Sequence, residues 1–521
     1  MTTSATILSQ TRDFRQSRFT SGPAVVAFIA AATVMLHLLT ATRYGIFRDE
    51  LYYLACSEHL DWGYVDQPPL IACIAWMVRH VLGESLVGIR LLPAIASGAL
   101  VVLTGKLAKE MGGSRFAQAI AAIGVMFAPI YLVLHHWLTM NAFEPLFWMG
   151  GAYCIVRAIN SGNERYWLWF GLLVGLGLEN KYSMAFFTFG VFIGVLATPE
   201  RRFLKSRCLW LGAVAAVILF LPNFIWLVKH NFPFLELMHN IRQTHRDVIR
   251  GPISFVLDQA MIMGPILFPI WIAGVTWLFI SRSGRRYRAL GWTYFVLLVT
   301  FIVLKGKNYY LAPAYPMLFA AGAIAFESLS ETRRRWSRTL YLSLVVLAGV
   351  ILLPLAAPVL SPEAFIRYQK TIGIEPPKAE NQNNGPLPQH FADEFGWEEM
   401  VSKVAAVYHS LPPEERKRTM IFANDYGSAG AVDFFGPKYG LPKAVSNHQN
   451  YWYWGSHDYD GSTVIVLGSD GRGDREHFNS VEIAGIVEHP YSRRDEWFPI
   501  LRCRGLTVNL QKAWPAMKRW N

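Results

Sequence analysis

FRDELYYLACSEHLDWGYVDQPPL, Phe47 to Leu70, follows within a few residues a 19-residue, mostly apolar run from Ala24 to Thr42. One helical crossing of a hydrocarbon core of about 30 Å needs a run of that length. Arg-Asp-Glu and then Asp-Gln-Pro-Pro therefore stand where lipid ends. The run is not read as a cleaved signal peptide, because it is long and no Ala-x-Ala followed by a mature soluble start comes after it.

Outward from this stretch the chain keeps the same character. Of 521 residues 53% are hydrophobic, with 18 Trp and 33 Phe, and the mean hydropathy is +0.25. An ordinary soluble domain carries less, so the chain is expected to be a polytopic α-helical membrane protein. Eleven apolar segments are expected, starting near positions 24, 86, 115, 143, 166, 182, 208, 255, 289, 311 and 339 and ending near Leu360, with those at 166 and 182 short.

Charge orients these helices. The formal net charge is +12, yet residues 361–521 hold 18 Lys and Arg against 20 Asp and Glu, which leaves 31 against 17 for the rest. The basic excess thus belongs to the membrane part and is no nucleic-acid footprint. Twenty of those 31 cations fall in six short segments: the N-terminal tail with Arg12, Arg15 and Arg18, and stretches around Lys106, Arg165, Arg202, Arg286 and Arg334. By the positive-inside rule these face the cytoplasm, and eleven spans then place the first loop and residues 361–521 outside the inner (plasma) membrane.

The expected domains are a cytoplasmic tail (1–23), a transmembrane catalytic domain (24–360, first outward loop about 43–85), a connector (361–388) and an extracytoplasmic α/β domain (389–521). The connector holds EPPKAENQNNGPLP, Glu375 to Pro388. Beyond it WEEMVSKVAAVYHSL reads as an amphipathic helix, and RTMIFA, STVIVLG and VEIAGIVEH read as strands. The aromatic run NHQNYWYWGSHDYDG suits either sugar stacking or buried packing. Five cysteines, Cys56, Cys73, Cys154, Cys208 and Cys503, have no close spacing, so neither a disulfide framework nor a cysteine metal site is expected.

Three acidic sites stand out on the outward side. Asp49 and Glu50 suit a solvated loop charge, a helix N-cap or a general base. Asp66 ends the same loop. Glu144 opens an apolar run, where an ionised side chain costs about 2.5 to 3.5 kcal/mol at mid-membrane depth unless paired or facing a cavity. Cations occur on the same side: Lys181 in GLENKYSMAFF, between two short apolar runs; His230, Arg242, His245 and Arg246 after the seventh segment; Lys305 and Lys307, with Tyr309 and Tyr310, in KGKNYYLAPAYP. Lys and Arg beside a bilayer are what a lipid phosphate requires. Snorkelling to headgroups suits Lys229 and Arg250 better than Lys181 or Lys307.

In order and spacing, RDELYYLA, GYVDQPPL, MNAFEPLFW, LENKYS, LPNFIW and KGKNYYLAPAYP resemble the GT-C glycosyltransferases of the family 39 type, related to protein O-mannosyltransferases and the lipid A aminoarabinose transferase. The resemblance covers residues 24 to about 327. It implies a GT-C-like fold, a polyprenyl-phosphate sugar as donor, a lipid, glycan or protein acceptor with a hydroxyl or amine, and no nucleic-acid partner. It implies that the essential Asp of the first outward loop is Asp49, acting as general base, that the second acidic position is Glu144, and that the acidic-x-Pro-Pro element is Asp66. Arg48, Glu50, Tyr53, Lys181, Arg242, Arg246, Lys305, Lys307 and Tyr310 become candidates for substrate binding. Whether Asp66 and Glu144 order the acceptor, hold basic residues or join a divalent ion stays open; Asp49 and Glu144 are the carboxylates such an ion would use. The chain departs from the pattern at three places. Glu144 precedes Pro where relatives often have Asp, Gln67 stands where they frequently carry Lys or His, and Tyr52 stands where the aminoarabinose enzyme has Arg, which argues against that donor.

Two other classes share some of these features. A secondary transporter of a lipid-linked or anionic substrate also has short spans and intramembrane charge, but no repeated half is found and the polar residues gather on one face. A non-catalytic, glycan-binding membrane scaffold would not need Asp49, Asp66 and Glu144 intact. Two motif look-alikes, Asp458 to Asp460 (DYD) and GSDGRGDRE, lack the context of a nucleotide-sugar or phosphate-loop site.

Overall fold

The computed structural model describes residues 21–333, 336–375, 378 and 380–521. The N-terminal tail with Arg12, Arg15 and Arg18, and Arg334, lie outside the described residues. Each of the eleven expected starts lies within a few residues of a helix start. Among the described residues six helices are long and apolar enough to cross a membrane: Gly22–Thr40, Leu86–Glu110, Arg207–Lys229, Gly284–Val303, Asn308–Ser330 and Trp336–Ala356. Two sharply bent pairs raise that number to eight if each is one span. The protein is thus a multi-pass membrane protein. Its spans leave apolar side chains uncovered, such as Phe28, Val217, Ile218 and Val303, as a surface solvated by lipid can.

The bends have local causes. Met184–Leu196 turns by 110° into Pro199–Lys205, where Pro199 and a cluster of charges follow the apolar run. Pro252–Met263 turns by 99° into Pro265–Ile280. There Gly264 adopts φ +90, which a side chain would resist, and Pro265 cannot continue the preceding hydrogen-bond ladder.

Close packing divides the chain into two compact units rather than by one cut. Among the described residues the first comprises 21–41, 90–222, 249–333 and 336–359. Its helices approach through small residues: a Cβ on Gly322 would lie 1.8 Å from the Ile270 carbonyl oxygen, the packing that substitutes for a hydrophobic driving force in lipid.

Among the described residues the second unit comprises 42–89, 223–248, 360–375, 378 and 380–521, so the stretch after the first span shares a core with the C-terminal region. Five strands form one sheet in the order β2-β1-β3-β5-β4: β1 (Thr419–Ala423), β2 (Val445–Ser446), β3 (Thr463–Leu467), β4 (Phe478–Val487) and β5 (Phe498–Leu506). β1 pairs parallel with β2 and β3, while β5 is antiparallel to both β3 and β4. The three expected strands are β1, β3 and β4, and the expected helix is Trp397–His409. β5, FPILRCRGL, carries a proline and two arginines, and helix Tyr426–Phe435, YGSAGAVDFF, is rich in small residues; neither presents a clean apolar period. The small residues of that helix let it press on helix Arg48–Glu58, since a Cβ on Gly430 would lie 3.0 Å from Leu51. The connector is tied to residues 245–247: Asn381 N–H donates to the Arg246 carbonyl at 2.8 Å, its side-chain amide donates to the His245 carbonyl at 2.9 Å, and the Glu380 backbone pairs with that of Asp247.

Candidate active site

Helix Arg48–Glu58 begins after an extended Phe47. The Glu50 carboxylate, fully buried, accepts the Phe47 N–H at 2.9 Å. Of the readings open for Asp49 and Glu50, neither residue is the N-cap; Glu50 folds back to satisfy the helix start and Asp49 stands in the first turn. The Asp49 carboxylate accepts the Tyr426 hydroxyl at 2.8 Å. One turn along, the Tyr52 hydroxyl donates to Asp66 Oδ1 at 2.9 Å and accepts the Asn450 N–H at 3.3 Å. The rings of Tyr52 and Tyr426 lie 4.9 Å apart, so two tyrosine–carboxylate pairs stand side by side.

These tyrosines are held from behind. Tyr426 stacks on His448 at 5.2 Å and donates its N–H to His448 Nδ1 at 3.1 Å. Arg48 lies over the Tyr426 ring at 4.6 Å and bonds Asp425 Oδ1 at 3.1 Å. Asp425 in turn caps helix Tyr426–Phe435, accepting from Gly427 and Ser428 N–H at 2.8 and 3.0 Å. Burial works against the Asp425 charge, but the Arg48 guanidinium and the Ser428 hydrogen bonds outweigh it and bring the carboxyl down to about 2. Burial pushes Asp66 up to about 7, against the Tyr52 hydrogen bond, and the nearby Asp49 adds to the rise. Burial, then the Arg519 charge, brings His448 down to about 3, so it is the neutral imidazole that accepts from Tyr426. Burial, then Asp49, raises the Tyr426 hydroxyl well above its ordinary value and keeps it a donor.

Tyr53 is buried and feels both Asp49 and Asp66. Of the candidate arginines, Arg246 is the one whose charge reaches Asp66; it also bonds Asp247 at 3.2 Å and stands 3.9 Å from Glu380. Arg242 is exposed on helix Pro233–Gln243. Of the aromatic run, Tyr451 is buried and its hydroxyl bonds Asp433 at 2.7 Å, while Trp452 and Trp514 each donate their indole N–H to the other's carbonyl; packing accounts for both.

In the first unit, Glu144 lies in the opening turns of helix Met140–Ser161. Lys181 leaves helix Arg165–Asn180 in an extended conformation. Its Nζ stands 2.8 Å from Glu144 Oε2 and 2.7 Å from Asn141 Oδ1, over the Tyr310 ring at 4.8 Å. Ser183 donates to the other Glu144 oxygen. Both charged side chains are nearly buried, 12% and 5% exposed, so each stabilises the other against desolvation. Lys307 occupies the position just before the short helix Asn308–Ala314 and is half-buried, whereas Lys305 is exposed at φ +55.

The expected residues therefore gather as Arg48, Asp49, Tyr53, Asp66 and Arg246 in one unit and Glu144, Lys181 and Tyr310 in the other. Tyr426, Asp425, Asn141 and Ser183 are not among the expected site residues, and His448 is expected only as part of the aromatic run. Asn-Asp ahead of YGSAG is a usable N-cap signal for a helix at 426, but nothing in the sequence pairs it with residue 49. Among the described residues no group of three or more His, Cys, Asp or Glu is placed to hold a metal ion. All five cysteines are free thiols.

The family model of dolichyl-phosphate-mannose-protein mannosyltransferases matches residues 66–226, a stretch that includes Asp66, Glu144 and Lys181. The chain is 29% identical over 348 residues to lipid A galacturonosyltransferase RgtD of Rhizobium johnstonii, covering 64% of this chain and 70% of that one. It is 24% identical over 244 residues to lipopolysaccharide core galacturonosyltransferase RgtB of the same organism, covering 46% and 48%. Among solved structures it superposes on ArnT from Cupriavidus metallidurans bound to undecaprenyl phosphate with a TM-score of 0.59 at 12% identity, covering 92% of this chain and 97% of that one. It also superposes on the Archaeoglobus fulgidus oligosaccharyltransferase tethered with an acceptor peptide, with a TM-score of 0.52 at 13% identity, covering 81% and 64%. The chain has the GT-C fold of the glycosyltransferases that its six motifs resemble.

Proposed function

We propose that the protein is a membrane glycosyltransferase that moves a sugar from a polyprenyl-phosphate donor to an acceptor outside the inner membrane, with Asp49 as general base. The observation that carries the reading is the half-buried Asp49 carboxylate, facing a tyrosine hydroxyl in the first turn after the first span of a GT-C fold. In the reaction the acceptor oxygen attacks the anomeric carbon as Asp49 takes its proton, the anomeric C–O bond breaks, and the electron pair leaves on the lipid phosphate. That phosphate needs positive charge, and Arg246, in the same unit as Asp49 and with its charge reaching Asp66, is the cation the contacts support. Glu144 holds Lys181. The relatives RgtD and RgtB are both named for galacturonic acid, so a polyprenyl-phosphate uronic acid and a lipid A or core acceptor come first. The extracytoplasmic placement rests on the distribution of basic residues.

A second reading makes Asp66 the base, since a carboxyl carried up to about 7 has the proton affinity suited to neutral pH. Purified protein given radiolabelled undecaprenyl-phosphate galacturonate and lipid A tests both. Transfer abolished by Asp49→Asn and retained in Asp66→Asn supports the first reading, and the reverse pattern supports the second. No transfer or sugar release from this donor, nor from hexosyl or aminoarabinosyl ones, overturns the glycosyltransferase reading.

A further inference from the structure

Tyr426 stands 377 positions from Asp49 in the chain, in the C-terminal region, yet its hydroxyl lies 2.8 Å from the Asp49 carboxylate. Three neighbours hold the ring: His448 is stacked on it, the Arg48 guanidinium lies over it, and Tyr52 packs against it. Its backbone is pinned by the N–H bond to His448 and by the Asp425 cap. A ring that served only to fill space would be as well served by Phe. Here the restraints hold the hydroxyl within hydrogen-bond distance of a carboxylate oxygen, and a hydrogen bond to a charged acceptor is both strong and directional.

We infer that Tyr426 is a positioning residue, through which the C-terminal region aims the Asp49 carboxylate and favours its ionised form. This rests on the proposed role of Asp49 as base and adds that the C-terminal region supplies part of the active site. Among the groups bearing on Asp49 are Tyr53 from its own helix, Asp66 from the following loop and Tyr426; Arg48, His448 and Glu380 are among those that act on Tyr426.

The test has a readout that needs no turnover. A water-soluble carbodiimide consumes protonated carboxyls, so labelling of Asp49 in the full-length protein, followed by peptide mass spectrometry across the acidic range, reports its titration. In Tyr426→Phe the pH at which labelling fades should move upward, because a hydrogen bond to the charged form is lost. Transfer from undecaprenyl-phosphate galacturonate should fall about tenfold or more through kcat, with KM for the donor unchanged. Added to Asp49→Asn, Tyr426→Phe should cost nothing further. An unchanged labelling profile in folded Tyr426→Phe overturns the inference. If that variant does not fold, 3-fluorotyrosine at 426, a stronger donor, must move the profile downward, and no movement overturns it equally. A labelling shift together with an Asp49→Asn variant that still transfers would instead overturn Asp49 as base and leave the Tyr426 contact standing.

Discussion

Lys181 Nζ lies 2.8 Å from Glu144 Oε2, and both side chains are almost wholly removed from solvent. Removing one member of such a pair strands the other charge, at a cost of about 3 to 5 kcal/mol. Lys181→Met should therefore lower the unfolding temperature as well as donor binding, and Lys181→Met combined with Glu144→Gln should recover most of the stability. Donor affinity should not recover in the double variant if Lys181 meets the phosphate. Thermal unfolding in detergent and binding of labelled undecaprenyl phosphate separate the two effects; full recovery of binding would remove Lys181 from the donor site.

Asp49→Asn should abolish transfer with folding retained, since general-base assistance is worth about 10² to 10⁴ in rate. Glu50→Gln is the contrast. Its amide oxygen can still accept the Phe47 N–H, so the loss should be confined to stability, at about 1 kcal/mol. Initial rates and unfolding temperatures of the two purified variants check this, and a rate loss in Glu50→Gln as deep as in Asp49→Asn would contradict it.

Asp66 carries a pH signature of its own. Its carboxyl is raised to about 7 in the folded protein, against about 4 in an unfolded chain. Between those values the unfolded state gives up the proton first, so stability falls as pH rises from about 4 to about 7 and is level beyond, with a slope of at most about 1.4 kcal/mol per pH unit. Asp66→Asn lacks this fall. The unfolding temperature of the variant relative to wild type should climb across that window and then stay flat; a difference independent of pH would mean that Asp66 titrates normally.

Orientation is checked at Lys417, whose side chain is 72% exposed. In a Cys73→Ser background, which removes the exposed native thiol, Lys417→Cys should react with a membrane-impermeant maleimide in spheroplasts without permeabilisation. Labelling only after permeabilisation would place residues 361–521 in the cytoplasm.

Much of this was legible in the chain because the physics was local. Apolar length marked the helices, and charge at the ends of apolar runs marked Asp49, Asp66, Glu144 and Lys181. Lys181 with Glu144 was half visible: a charge placed at the head of an apolar run calls for a partner, but nothing at residue 144 states that the partner lies 37 residues on. Tyr426 was not legible. Its meaning lies in a contact with residue 49, and a tyrosine after Asn-Asp looks like any other helix start. β5 and helix Tyr426–Phe435 were missed for a related reason, because their packing on neighbours, rather than their own apolar period, keeps them folded.

The unit that holds Asp49 is threaded by three stretches, 42–89, 223–248 and 360–521. During synthesis at about 5 to 20 residues per second, Asp49 leaves the ribosome roughly 20 to 75 s before Tyr426 does. Helix Arg48–Glu58 therefore spends most of translation without the surface that covers it, and its Leu51 face waits for Gly430. Maturation of the acidic site consequently comes late, set by the arrival of the C-terminal region rather than by insertion of the first span.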